Sequence, residues 1–361
     1  MKQMDFLVCV RCFTFNHAPY IKEAMDGFCL QQTTFPYVCV IVDDASTDGE
    51  QEVIKSYLAQ NFNLDNQETF RNEDTDDFSM TFTQHKVNEN CFFAVYFLKY
   101  NHRSIKKDKF SYFSEYHDNA KYRALCEGDD YWIDPLKLQK QVDFLEFHPD
   151  YSMACNRTKL YSQRQGKYIG ENYCYNMSQS VYVKDVVLRG GLFISTCSIL
   201  TRRAIVIAGY PDYCLKCHVG DYPLQIFAAM KGKVYYFNDV MSVYRVENST
   251  SWVGQRKSMS SEVRIASVQS EVNMLKGFAA DYPQYKEIFS LRIAAYINRS
   301  MPDRLSPRSD QDEYLKTFKH EIAQYSLIGK IDLWMRRLRI RGIGILCPFN
   351  LGGRFESKIS R

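Results

Sequence analysis

Two strand-length apolar runs end in carboxylates, and this pairing narrows what the chain can fold into. Val38-Cys39-Val40-Ile41-Val42 leads into Asp43-Asp44, and Tyr122-Arg123-Ala124-Leu125-Cys126 leads into Glu127-Gly128-Asp129-Asp130. Carboxylates crowded at the end of a buried strand repel one another unless something cationic or hydrogen-bonding occupies the gap. In an open α/β sheet that gap, outside the carboxyl ends of the strands, is where ligands bind.

The surrounding pattern fits such a sheet. Phe6–Phe15 reads as a strand, followed by a helix capped at Asn16 or His17 with Pro19 in its first turn and reaching about Gln32. Strand Tyr37–Val42 follows, then a helix opened by Ser46-Thr47-Asp48-Gly49-Glu50 and reaching about Gln60. This β-α-β-α alternation predicts a doubly wound α/β fold with a mostly parallel central sheet and helices on both faces. Residues 61–120 read as one strand plus insertions. Lys121–Glu127 is another strand, and Asp134-Pro135 starts a helix with Leu136, Leu138, Val142 and Leu145 on one face. Further strands are expected at 151–155, 192–201, 234–237 and 241–246, with a helix beginning near Asp221. From Ser260 helix formers dominate. The division expected is one catalytic domain over 1–255 and a helical C-terminal extension over 256–361.

Charge and cysteine usage bound the surroundings. Between Ile328 and Arg361 eight Lys/Arg face two Asp/Glu, which leaves 38 basic against 40 acidic residues elsewhere. A nucleic-acid binder would carry its basic charge on the folded body, so no nucleic-acid partner is expected. Twelve cysteines are scattered, several within strands, as small hydrophobes in a reducing compartment. With no signal-peptide h-region and no ~20-residue apolar stretch, the expected location is cytoplasmic. The mixed apolar and cationic segment Leu333–Arg341 could hold the chain peripherally on the cytoplasmic face of a membrane, or pack as a solvated helix on its own domain.

Five stretches carry a resemblance. They are Cys12-Phe13-Thr14-Phe15-Asn16-His17, Val42–Gly49, Leu125–Trp132, Gly220-Asp221-Tyr222-Pro223-Leu224 and Val243-Tyr244-Arg245-Val246. In this order, over roughly residues 6–255, the set resembles a family 2 glycosyltransferase with the GT-A fold, of the bacterial type that builds cell-surface polysaccharide. The resemblance implies that Asp43 and Asp44 receive the base and ribose of a nucleotide sugar, a UDP-sugar first. A carboxylate accepts two hydrogen bonds, which suits an imide N–H and vicinal hydroxyls. Thr14 and Asn16 would line the same pocket. Glu127-Gly128-Asp129 takes the place of the family's Asp-x-Asp metal motif, with Asp129 and Glu127 as ligands for Mg²⁺ or Mn²⁺. Asp130 would contact metal or donor sugar and Arg245 the diphosphate, although a structural ion pair is equally open to Arg245. Asp221 falls where the family places the catalytic base of an inverting transfer to a saccharide or lipid-linked saccharide acceptor. Two departures stand out: Gly220 replaces a frequent Glu, and Glu247 stands where relatives often carry His.

Other motifs compete weakly. Cys214-Leu215-Lys216-Cys217-His218 has the spacing of a haem attachment motif, but no export signal or second metal-ligand pair accompanies it. Phe13-Thr14-Phe15-Asn16 is not the Gly-rich phosphate loop a nucleotidyltransferase would want. The alternative from a different class is a non-catalytic nucleotide-sugar-binding or scaffold protein that keeps the fold.

Overall fold

In the computed structural model, which describes residues 5–207, 209–247, 260–302 and 307–324, the chain divides into two units. The first comprises residues 1–181, 193–209 and 228–254, and the second residues 182–192, 210–227 and 255–361.

The first unit is built on a mixed sheet. Its strands and helices, in chain order, are β1 (Val8–Thr14), α1 (Ile21–Cys29), β2 (Tyr37–Asp43), α2 (Glu50–Asn61), β3 (Arg71–Asp74), β4 (Phe78–Gln84) and β5 (Cys91–Leu98). The short helices α3 (His102–Ile105) and α4 (Ser114–His117) come next, then β6 (Tyr122–Leu125), β7 (Tyr131–Trp132), α5 (Lys137–Phe147), β8 (Tyr151–Ser162), β9 (Lys167–Asn172) and β10 (Gln179–Val181). β11 (Leu200–Arg202) and β12 (Lys233–Val246) complete the sheet, in the order β10-β12-β8-β11-β6-β1-β2-β5-β4-β3. The central strands β6, β1, β2 and β5 run parallel, and antiparallel strands flank them on both sides. Every residue of β2 is buried because alternate side chains enter different cores. Tyr37, Cys39 and Ile41 pack with Phe28 of α1, Ile54 of α2 and Leu138 of α5; Val38, Val40 and Val42 pack with Phe113 and Tyr116 on the opposite face.

In the second unit the helices Ser261–Asp281 and Lys286–Ser300 pack through Phe278 and Phe289, stacked at 5.9 Å. Ser260 caps the first of them, accepting from the Val263 amide. α6 (Val183–Arg189), α8 (Asp212–Leu215) and the start of α9 (Asp221–Lys231) belong to this unit, whereas α7 (Arg203–Ile207) belongs to the first. No helix among the described residues is long and apolar enough to cross a membrane. The segment Leu333–Arg341, on which the membrane expectation rests, lies outside the described residues.

Several sequence expectations are corrected. Residues 61–120 hold three strands, one of which, β4, lies hidden in a polar-looking stretch because its buried side chains alternate with partly buried polar ones. α1 starts at Ile21 without a side-chain cap, because the Asn16 side chain is engaged elsewhere. Leu136 is exposed and precedes α5, whereas Leu138, Val142 and Leu145 are buried. The stretch 192–201 is mostly two tight turns, with a strand only from Leu200. The two strands expected over 234–246 are one, β12, with register shifts after Phe237 and Val240.

Candidate active site

β1 pairs with β2 on one side and with β6 on the other, so the order of the sheet reverses at β1. Crevices for ligands open at such a point, beyond the carboxyl ends of the strands. Thr14, the last residue of β1, is the register partner of Asp43 at the end of β2. On the other side the chain keeps bonding to β1 after β6 ends: Cys126 N donates to Arg11 O at 3.1 Å and Gly128 N to Phe13 O at 3.0 Å. The two acidic clusters therefore flank Thr14. Gly128 is required by this approach, since a Cβ there would sit 2.6 Å from Thr14 Cβ and 3.2 Å from His17 Nδ1.

A buried acid the sequence reading did not assign to the site ties the loops after β1 and β2 together. Glu50, at the start of α2, accepts from Thr14 Oγ1, from His17 N at 2.8 Å and from Ser46 Oγ at 2.8 Å. Burial raises its carboxyl above the usual range, against those same hydrogen bonds. Asn16 adopts a left-handed backbone (φ 56°), donates its amide to Ser46 Oγ and accepts from Thr47 N at 2.8 Å. Asp48 accepts from Ala18 N and Glu50 N, which closes the link between the loops after β1 and β2.

Asp43 and Asp44 differ in what remains open. Asp43 is fully buried; its Oδ1 accepts from Ser46 N at 3.1 Å and Gln51 Nε2 at 2.7 Å, while Oδ2 is buried with no hydrogen-bond partner. Burial pushes this carboxyl above its ordinary value. Asp44 is also buried, but its oxygens accept from His102 N at 2.7 Å, Arg103 N at 3.3 Å and Lys109 Nζ at 3.1 Å.

In the second cluster, Glu127 and Asp129 are half-buried and Asp130 is buried. Burial raises the Glu127 carboxyl, opposed by the charge of Arg11 and reinforced by that of Asp129. Asp130 lies well above the carboxylate range through burial and then the neighbouring charge of Asp129; its Oδ1 accepts from Arg245 N at 2.9 Å. Among the described residues no three His, Cys, Asp or Glu side chains form a ready-made metal cage. Of the two roles open to Arg245, the structure displays the ion pair. Its guanidinium joins Glu23, donates to Gln163 Oε1 at 3.3 Å, and lies 4.9–5.3 Å from the rings of Tyr20, Tyr131 and Tyr161. Trp132 is core, with Nε1 donating to Cys197 O at 2.8 Å.

Asp221 is in the second unit, as the first residue of α9, where Oδ1 accepts from Tyr222 N at 2.8 Å. Cys214 and Cys217 are protonated thiols there, pushed up by burial to about 12 and about 11. The sequence reading also passed over Gln51, Lys109 and Glu23. They sit on helix faces and a loop where nothing local marks the carboxylate or guanidinium they meet.

Residues 10–73, which run from within β1 through α1, β2 and α2 into β3, match the family described as Glycosyl transferase family 2. That match falls on the stretch that forms the Thr14 and Asp43 side of the crevice, within a first unit built on a mixed α/β sheet. Uncharacterized proteins of Mycobacterium bovis and Mycobacterium tuberculosis are 30% identical over 239 residues, 66% of this chain. The chain spans 58% of the length of these relatives. Among solved structures, a mannosyltransferase of Pyrobaculum calidifontis in complex with GDP-Man and Mn²⁺ is similar over 94% of this chain and 83% of its own, at 15% identity and a TM-score of 0.48. TarS 1-349 of S. aureus in complex with UDP-GlcNAc is similar over 88% and 92%, at 13% identity and a TM-score of 0.43.

Proposed function

We propose that the chain is an inverting, metal-dependent glycosyltransferase that moves a sugar from a nucleoside diphosphate, UDP first, to a saccharide or lipid-linked saccharide in surface polysaccharide synthesis. The observation that carries the reading is the pair of acidic clusters on either side of Thr14. One of them holds a buried carboxylate oxygen, Asp43 Oδ2, with no partner. An unpartnered buried acceptor is costly unless a ligand donor meets it. An imide N–H of the base suits it, and Asp44, Thr14 and Asn16 border the same place.

On the other side, Glu127 and Asp129 have the chemistry to hold a hard divalent cation; burial raises the Glu127 carboxyl, and a bound cation would favour its ionised form. Bound Mg²⁺ or Mn²⁺ would supply positive charge against the departing diphosphate. Asp130 keeps the loop in place through the Arg245 amide. Asp221 accepts the proton of the attacking acceptor hydroxyl, a contribution of roughly 10²–10⁴-fold. A single displacement needs no covalent intermediate on the protein.

The test is UDP release from UDP-glucose, UDP-galactose and UDP-GlcNAc, with Mn²⁺ and with chelator. Metal-dependent release that Asp129→Asn abolishes is expected. Asp221→Asn keeps UDP binding and loses turnover by about 10²–10⁴-fold. Wild-type turnover in Asp221→Asn removes that residue from the mechanism. UDP binding without any release, in wild type, favours the alternative of a non-catalytic nucleotide-sugar binder, to which the Glu at position 127 already lends some weight.

A further inference from the structure

The groups that fix the start of α9 in the second unit are buried. Tyr222, which follows Asp221, donates its hydroxyl to Val187 O at 2.6 Å, and its ring lies 5.3 Å from Arg292 Cζ. Arg292 Nη2 stands 3.1 Å from Glu271 Oε1, both side chains being less than a tenth exposed, and Cζ is 5.1 Å from the Tyr296 ring. The same guanidinium occupies the space a side chain at position 190 would need. A Cβ on Gly190, whose φ is +77°, would come within 2.9 Å of Arg292 Cζ. A Cβ on Gly191 would lie 3.0 Å from Tyr222 Cβ and 4.0 Å from Asp221 Oδ2, and Gln225, one turn on, donates to Gly191 O at 3.1 Å. The glycine pair, the first turn of α9 and the helices 261–281 and 286–300 are thus locked around one ion pair.

Burying an ion pair is a poor way to gain stability, because desolvation offsets most of the attraction and an apolar replacement is often as good. What such a pair does supply is direction: a planar guanidinium between one carboxylate and two rings admits few arrangements. We infer that Arg292 and Glu271 are positioning residues for the Asp221 carboxylate, acting through Tyr222 and the Gly190-Gly191 turn. The inference rests on the reading of Asp221 as the catalytic base. It gives the C-terminal helices a part in the chemistry, since both partners of the pair lie beyond residue 255.

The experiment uses the full chain with Arg292→Met, Glu271→Gln and Asp221→Asn. Turnover is followed as UDP release from whichever of the three UDP-sugars wild type uses fastest, and UDP affinity by calorimetry. A misplacement of about 1 Å costs on the order of 10²-fold in rate. Arg292→Met and Glu271→Gln are therefore expected to lose about 10–10²-fold in kcat, with donor KM and UDP affinity within twofold of wild type. A kcat within twofold of wild type, or a loss carried entirely in KM, overturns the positioning role. Should Arg292→Met fail to give a native near-ultraviolet circular dichroism spectrum, Glu271→Gln, which keeps volume and an acceptor, decides alone. If Asp221→Asn is impaired while Glu271→Gln is not, the positioning inference fails and the base reading stands. If Asp221→Asn turns over like wild type, the base reading itself has failed.

Discussion

Gly128→Ala tests whether the two acidic clusters meet at Thr14. The added Cβ would lie 2.6 Å from Thr14 Cβ, against a comfortable carbon–carbon separation of about 3.5–4.0 Å, so roughly 1 Å of movement is needed. Thr14 has little room to give. It is the last residue of a strand paired on both sides, and its hydroxyl is held by Glu50 and His17. The acidic loop must shift instead, breaking or stretching the bond from Gly128 N to Phe13 O. Overpacking of this kind costs about 1–3 kcal/mol of stability. A 1 Å shift at the carboxylates should lower turnover by about 10²-fold, equivalent to about 2.7 kcal/mol in the barrier. Urea denaturation gives the first quantity and UDP release at saturating donor the second. The double variant Thr14→Gly/Gly128→Ala, in which the blocking atoms are gone, should be less unstable than the sum of its singles. If Gly128→Ala melts and turns over like wild type, the close approach described for this loop is wrong.

Glu50→Gln should destabilise the first unit by about 1–3 kcal/mol, since an amide N–H₂ would face donors where a carboxylate oxygen now accepts. Its pH dependence has a defined sign. Burial raises the folded carboxyl above the ordinary 4.5, so the native state holds the proton more tightly than the unfolded chain. The stability of wild type relative to Glu50→Gln is then greatest below about pH 4.5 and falls as pH rises through the raised value. Urea midpoints of the two proteins from pH 4 to 7 check this, and a difference that grows with pH contradicts it. Arg245→Met should cost roughly 2 kcal/mol, mainly through lost ring contacts because Glu23 is half-exposed, with UDP affinity unchanged. A tenfold loss of UDP affinity at unchanged stability would return Arg245 to the donor site.

The parts legible in the sequence were those written in contiguous residues. β1, β2 and β6 are short apolar runs, the latter two leading into acids, and a residue's distance from the strand end gives its place at the crevice. Glu50 was legible only as a helix-start residue. That its carboxylate is buried under Thr14, His17 and Ser46 depends on loops meeting across some thirty residues. β4 was missed for a related reason: half of Phe78–Gln84 is polar because one side of that strand is less buried. Arg245 was ambiguous because its ion-pair partner, Glu23, is more than two hundred residues away.

The second unit is assembled from three stretches, 182–192, 210–227 and the chain from 255 onward, with β11 and β12 between them. During synthesis the first two stretches emerge before their helical partners exist. The residues around Asp221 therefore lack the Arg292–Glu271 pair until the ribosome has passed the helices at 261–300. No single crossover can exchange this unit alone between relatives: one placed before residue 182 carries β11 and β12 of the first unit along with it.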